Sequence, residues 1–238
     1  MFGLRLQLVS LFFSCSLVLA AQCVDEPDSL VHNRQPFVKQ MVRPTLLVAA
    51  STGVAFLIDK PAQDFMRSSQ SPFGDDFTRI TNYLGDKKIM IPALAATLCS
   101  SYLFNDSRLK RTSWDAVKSL VMASIVTEAF KTTTGRARPF MNEGPHSFHP
   151  FSGADYYKSL PSGHATVAFA IFTPYAETYS RWIYLVPASV AYSRIYKNKH
   201  WFSDVVVGGG LGFLSGYFFS HHPQKRIVLI PGGVTVYF

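Results

Sequence analysis

Ser193-Arg194-Ile195-Tyr196-Lys197-Asn198-Lys199-His200-Trp201-Phe202-Ser203-Asp204 is the stretch on which the reading of this chain turns. With its second half helical, His200 and Asp204 stand four residues apart, on one face and one turn from each other. A carboxylate so placed accepts the Nδ1 proton of the imidazole, fixes the tautomer and leaves Nε2 free to attack. Arg194, six residues before His200, adds a planar fork of donors suited to phosphate oxygens. Taken alone, the same spacing describes an ordinary salt-bridged pair on a helix surface.

Two further stretches change the balance. Lys131-Thr132-Thr133-Thr134-Gly135-Arg136-Ala137-Arg138-Pro139 places a Lys and an Arg in a segment rich in Thr and Gly. Pro161-Ser162-Gly163-His164 sets a hydroxyl, a bare backbone and an imidazole at the start of an apolar helical run. The order K-x6-R-P, P-S-G-H, S-R-x5-H-x3-D resembles the three-part signature of the type 2 phosphatidic acid phosphatase superfamily. That superfamily also holds bacterial acid phosphatases and vanadium-dependent haloperoxidases. Eleven defined positions match in order between Lys131 and Asp204, more than accident supplies. The resemblance covers the C-terminal half; the first hundred residues share only a helical character.

Composition narrows the partners. The 238 residues suffice for one domain with a sizeable core, 48% are hydrophobic, and the mean hydropathy is +0.13. A net charge of +8 and a pI of about 9.4 favour anionic partners. There is no basic run with interleaved aromatics, so nucleic acid is not among them. A phosphorylated substrate, lipid above all, and an anionic membrane surface fit better.

Residues 1–20 read as an export signal: Arg5, then an apolar run softened by Gln7, Ser10, Ser14 and Ser16, with Val18-Leu19-Ala20 before the cleavage site. The expected location is therefore periplasmic or otherwise extracytoplasmic. Gln22 before Cys23 argues against lipidation. Cys23 and Cys99 then remain, and whether they pair is left open by spacing alone.

The mature chain divides into a lead-in over residues 21–43, a helical domain over 44–222 and a tail over 223–238. Apolar runs predict helices over residues 44–58, 89–104, 113–131, 162–179, 182–192 and 203–220. Residues 60–88 read as irregular, and the tail as two short β-like runs around Pro231-Gly232-Gly233. Ser113 is the expected N-cap of the third helix. The predicted fold is all-α, a bundle of about six helices of the acid phosphatase/vanadium haloperoxidase type. Gly208, Gly212 and Gly216, four apart, let a neighbouring helix approach the last one closely. No uninterrupted apolar run reaches the roughly 18 residues of a spanning helix, which favours an exported globular bundle over a polytopic membrane protein.

The chemistry follows from the residues and from the resemblance. Lys131, Arg138 and Arg194 supply three positive charges for a phosphate dianion. Ser162 and Gly163 stand where a helix N-terminus offers free N–H groups, and a plain capping role for Ser162 is compatible with this. The resemblance implies that His200 is the nucleophile forming a phosphohistidine, that Asp204 orients it, and that His164 is the general acid. It implies no metal and no cofactor, and the His221-His222 pair reads as solvated tail. In the short linker from Pro139 to Pro161, His146, His149, Phe148, Phe151, Tyr156 and Tyr157 read either as an entrance for an apolar leaving group or as ordinary loop packing. Glu128 reads as a structural partner of Lys131 or Arg136. The function expected is a metal-independent phosphatase acting on a lipid or isoprenoid phosphate or pyrophosphate. A broad-specificity soluble acid phosphatase and a vanadate-dependent haloperoxidase are the alternatives.

Overall fold

The computed structural model describes residues 37–222 and the backbone of the strands Arg226–Ile230 and Gly233–Tyr237. The expected signal segment and Cys23 lie outside these residues. Eight α-helices occur among them: α1 (Phe37–Leu57), α2 (Asp59–Ser68), α3 (Pro72–Tyr83), α4 (Lys87–Leu103), α5 (Ser107–Thr134), α6 (Gly163–Thr178), α7 (Leu185–Tyr196) and α8 (Phe202–His221). The two strands, β1 (Arg226–Ile230) and β2 (Gly233–Tyr237), pair antiparallel.

The stretch 60–88 is helical where an irregular segment was expected. Ser71 accepts from the Gly74 N–H at 3.1 Å and Pro72 occupies the first turn, so α3 carries a regular start signal. Its Gly, Asp and Thr content hid that signal. The start of α5 also differs. Asp106, not Ser113, is the cap, accepting from Leu109 N at 2.9 Å, while Ser113 is buried against the Tyr175 hydroxyl at 2.9 Å. At its other end α5 stops on Gly135 with φ +58°, where a Cβ would lie 1.7 Å from the His149 carbonyl oxygen. Only glycine permits that turn, and the turn aims the following Arg136–Arg138 back into the bundle.

Helix α6 is central. Its Val167 and Ile171 pack with Met90, Leu94, Ala116 and Leu120 of α4 and α5, and its Ala165 with Ile195, Phe202 and Val205 of α7 and α8. The glycine row of α8 faces α6 as expected: a Cβ would lie 2.5 Å from Ser162 O at Gly208, and 2.6 Å from Thr173 Cβ at Gly216. The two backbones touch there. His221 and His222 are exposed as expected, but His221 ends α8 and is not tail: its Nδ1 lies 3.0 Å from Tyr217 O and its Nε2 3.6 Å from Glu177 Oε2.

The membrane reading also changes. Lys39–Leu57 and Phe202–His221 are long and apolar enough to cross a membrane, 11% and 56% buried respectively. The sequence reading began the first helix at Pro44, but Pro44 lies inside α1, at the cost of one backbone hydrogen bond, and the helix gains two turns. Helix α8 is bundle core. Helix α1 presents Leu46 and Leu57 outward, and Leu103 of α4 and Ile125 of α5 are likewise exposed. Cys99 is an exposed thiol on α4.

Gly212 tests the close packing, because a Cβ there would fall 2.4 Å from Thr166 O and 2.8 Å from Ala170 N. Gly212→Leu should lower stability by about 2 kcal/mol or more, read as a drop in Tm. Gly53→Ala, with nothing within 4 Å, should leave Tm unchanged or raise it.

Candidate active site

Three connections meet at one end of the bundle: the turn after α5, the start of α6 and the link from α7 to α8. Each carries one of the sequence motifs. His200 lies in the α7–α8 link, not in a helix, and is 4% exposed. Its Nδ1 is 2.9 Å from the Ser159 carbonyl oxygen and 3.6 Å from Asp204 Oδ2. The expected carboxylate is beside Nδ1 but is not its nearest acceptor: the Ser159 carbonyl is closer, and Asp204 holds the ring by charge and through Ser159. The helical premise failed because Asp204 stands in the first turn of α8, where Oδ2 accepts from Trp201 N at 2.9 Å and from the Ser159 hydroxyl. The carboxylate thus fixes both the backbone after His200 and the residue that holds its ring.

The other carboxylate oxygen, Oδ1, accepts from Arg136 Nη1 at 2.7 Å. Arg136 is fully buried and also donates from Nη2 to Asp59 Oδ2 at 2.7 Å and from Nε to Pro145 O at 2.8 Å. Asp59, at the start of α2, accepts in addition from Ser203 N and Ser203 Oγ, both at 2.7 Å. Burial pushes the Asp59 carboxyl up, offset in part by the Ser203 and Arg136 donors. Glu128 is therefore not the partner of Arg136. It lies 3.5 Å from Lys87 Nζ and 3.9 Å from Lys131 Nζ.

The cations face the other side of His200. The Lys131 ammonium sits against the start of α6, 3.1 Å from where a Cβ on Gly163 would be. Desolvation holds its pKa below the usual value, with Arg138 and Lys87 adding to the shift and Glu128 opposing it. Arg194 is 8% exposed; Nη1 donates to the Asn82 amide oxygen, and Nε has no hydrogen-bond partner. Arg138 donates from Nε to Asp155 O and from Nη2 to Asp155 Oδ2, both at 3.0 Å. Ser162 precedes α6, yet its hydroxyl makes no capping bond and is buried without a partner, while its N–H donates to Asp204 O at 2.9 Å. Plain capping does not describe this serine. Two orphaned donors, Ser162 Oγ and Arg194 Nε, at a helix N-terminus among three cations make a site for a tetrahedral oxyanion.

His164 stands in the first turn of α6, packed by Gly85 of the α3–α4 connection, where a Cβ would be 2.9 Å from His164 Cβ. Burial, then the Arg194 and His200 charges, push its pKa down to about 3. Burial brings His200 to about 4, with Asp204 opposing the shift and Arg194 and Arg138 adding to it. Both rings are neutral at pH 7, which suits a nucleophile. Any anion bound among these cations would oppose them and raise the His164 pKa.

The linker aromatics do two things. His149 stacks on Tyr157 at 3.8 Å, and Glu143 binds both the His149 ring at 3.0 Å and the Tyr157 hydroxyl at 3.2 Å, which is internal loop packing. Phe148, Phe151 and Tyr156 are exposed at the rim. Sequence reasoning missed Asp59, Asn82, Arg136 and Ser159. Arg136 lies inside the first motif, so its position was a signal; the other three come from segments without a motif.

The depressed histidines give a signed pH effect. Unfolded imidazoles bind protons near pH 6.5, whereas the native rings bind them only near pH 3 and 4, so stability falls as pH drops through that interval. The Tm loss between pH 7 and 4.5 should be smaller in His164→Gln and His200→Gln than in the unmodified chain. Equal losses in all three would contradict neutral burial.

With this geometry in place, comparison with known proteins is specific. The PAP2 superfamily profile matches residues 112–227, which contain all three motifs. A lipid A 1-phosphatase of Rhizobium johnstonii is 33% identical over 99 residues, 40% of this chain and 41% of that protein, so less than half of that relative is matched. An undecaprenyl-diphosphatase of Sulfolobus acidocaldarius is 30% identical over 151 residues, 60% of this chain and 69% of the relative. The crystal structure of Aquifex aeolicus LpxE has the same fold, with a TM-score of 0.55 at 20% identity, over 68% of this chain and 94% of that one. The matched motifs, the breadth of the undecaprenyl-diphosphatase match and the shared fold make this chain a member of the PAP2 superfamily.

Proposed function

We propose that the chain is a metal-independent phosphatase that hydrolyses a lipid or isoprenoid phosphate or pyrophosphate through a phosphohistidine on His200. The observation that carries this reading is the pair of buried, unpartnered donors, Ser162 Oγ and Arg194 Nε, set among Lys131, Arg138 and the α6 N-terminus between two neutral imidazoles. Oxygens of the phosphoryl group bind these donors, and Arg138 exchanges its exposed partner Asp155 for the substrate.

The chemistry proceeds in two displacements. The His200 Nε2 lone pair forms the N–P bond while the bond from phosphorus to the leaving oxygen breaks, its electron pair staying on oxygen. His164 gives that oxygen a proton. Water then attacks phosphorus and passes a proton to His164, the N–P bond breaks with its pair returning to Nε2, and orthophosphate leaves. The three cations carry the charge that develops on the equatorial oxygens.

The lipid choice rests on the surface and on the relatives. Leu57, Phe73, Leu103 and Phe104 are each 81% exposed, an arrangement that suits lipid contact better than water. Helix α1, only 11% buried over its apolar window, is the segment we place across the membrane, with the site on the extracytoplasmic side. Relatives are named lipid A 1-phosphatase and undecaprenyl-diphosphatase, names that both describe phosphate groups carried on a lipid. These apolar faces speak against a soluble acid phosphatase.

Purified protein should hydrolyse a polyprenyl pyrophosphate or phosphatidic acid in preference to p-nitrophenyl phosphate, with rates unchanged by EDTA. Preference for the small ester would overturn the lipid assignment, and halide oxidation with vanadate and peroxide would overturn the phosphatase reading. Substituting His200→Ala should cost about a thousandfold or more in kcat, as removal of a covalent nucleophile does. The chain should remain in the membrane pellet after carbonate extraction.

A further inference from the structure

Behind His200 runs a row of buried charges that the three motifs explain only in part. Asp204 and Arg136 are 0% exposed and Asp59 is 1% exposed. Their order is fixed by contact: Asp204 Oδ1 to Arg136 Nη1 at 2.7 Å, and Arg136 Nη2 to Asp59 Oδ2 at 2.7 Å. Ser203 binds the ends together, accepting from Arg136 Nη1 at 2.6 Å and donating to Asp59 Oδ2 at 2.7 Å. Every donor nitrogen of Arg136 is engaged within this row or with Pro145 O. Three donors converge on Asp59, from Arg136, Ser203 N and Ser203 Oγ, so it is held as a carboxylate.

Two carboxylates and one guanidinium leave the row with a surplus negative charge while His200 is neutral. Under the phosphohistidine reading, on which this inference rests, Nε2 spends its lone pair on phosphorus while Nδ1 keeps its proton, so the ring becomes cationic. That cation forms in a pocket already facing Arg138, Arg194 and His164, with Asp204 the facing carboxylate. Were Arg136 paired with Asp204 alone, the two charges would cancel and the ring would lose its counter-ion. We propose that Asp59 is a positioning residue of this site: it neutralises Arg136 and pins Ser203, which leaves the Asp204 carboxylate oriented and its charge available to His200.

A purely structural role is the competing account, since Asp59 also ties the start of α2 to the first turn of α8. Charge bookkeeping separates the two. The full chain would be purified as Asp59→Asn, Arg136→Gln and the double variant, and assayed for Tm, kcat, KM and the pH dependence of kcat/KM with phosphatidic acid. Asp59→Asn should lower kcat about tenfold or more, as loss of a partner behind a reacting group does, with KM within about twofold. Its acid limb should move to lower pH, because protonation of His200 loses a compensating charge. The double variant restores the surplus negative charge and should be at least severalfold faster than Asp59→Asn. Wild-type kcat in Asp59→Asn, an unmoved acid limb, or a double variant slower than the single would overturn the proposal. If Asp59→Asn does not fold, the double variant decides alone: folded and within about tenfold of wild type supports the inference, folded and inactive refutes it. Unmodified protein that forms no phosphohistidine would refute the functional reading instead, whatever the variants do.

Discussion

The N–H of Ser162 donates to the carbonyl of Asp204 at 2.9 Å, and a Cβ on Gly208 would lie 2.5 Å from the Ser162 carbonyl. The start of α6 and the start of α8 are thus joined backbone to backbone. Any side chain at Gly208 or Gly212 would part them, and with them the two imidazoles. The glycine row of α8 is therefore as much a requirement of the site as the ionisable residues. Close packing sets the distance between His164 and His200, and buried hydrogen bonds set their orientation.

Charge is distributed unevenly around that junction. On one side of His200 the cations have exchangeable partners: Arg138 an 85% exposed carboxylate, Lys131 Glu128 at 3.9 Å, and Arg194 the neutral amide of Asn82. On the other side the hydrogen bonds among Asp204, Arg136, Asp59, Trp201 N and Ser203 N are 2.7–2.9 Å long and buried. The first arrangement leaves charge that an anion could take up, and the second is closed on itself. Under the proposed function, such a site would discriminate by charge and tetrahedral shape at the phosphoryl end, with the apolar helices left for the rest of the substrate.

Much of this was legible in the sequence, and the reasons for the remainder are physical. The three motifs locate the cations, the helix start and both histidines because each needs a particular residue type at a fixed spacing. Helix α3 was overlooked because Gly74, Asp75, Asp76, Thr78 and Thr81 break up its apolar pattern, and Ser71 caps it without a reciprocal side chain. The start of α5 was misplaced because Ser113 resembles a cap, whereas Asp106 performs the role and Ser113 is buried. Direct pairing of His200 with Asp204 was inferred from helical spacing. That spacing fails because Trp201 is the N-cap of α8, which leaves His200 outside the helix. Asp59 and Ser159 could not be found from spacing at all, since the fold brings them to Arg136 and Asp204 from distant segments.

The proposed reading sets this chemistry at a membrane surface, on the strength of helix α1 and the exposed apolar residues. The account stands or falls on the covalent intermediate. Rapid acid-free quenching of the full chain with a 32P-labelled lipid phosphate, followed by peptide mapping, tests it most directly. The prediction is label on His200 that is stable to base, lost in acid and absent from His200→Ala. Turnover without label on any histidine, or label on His164, would contradict it.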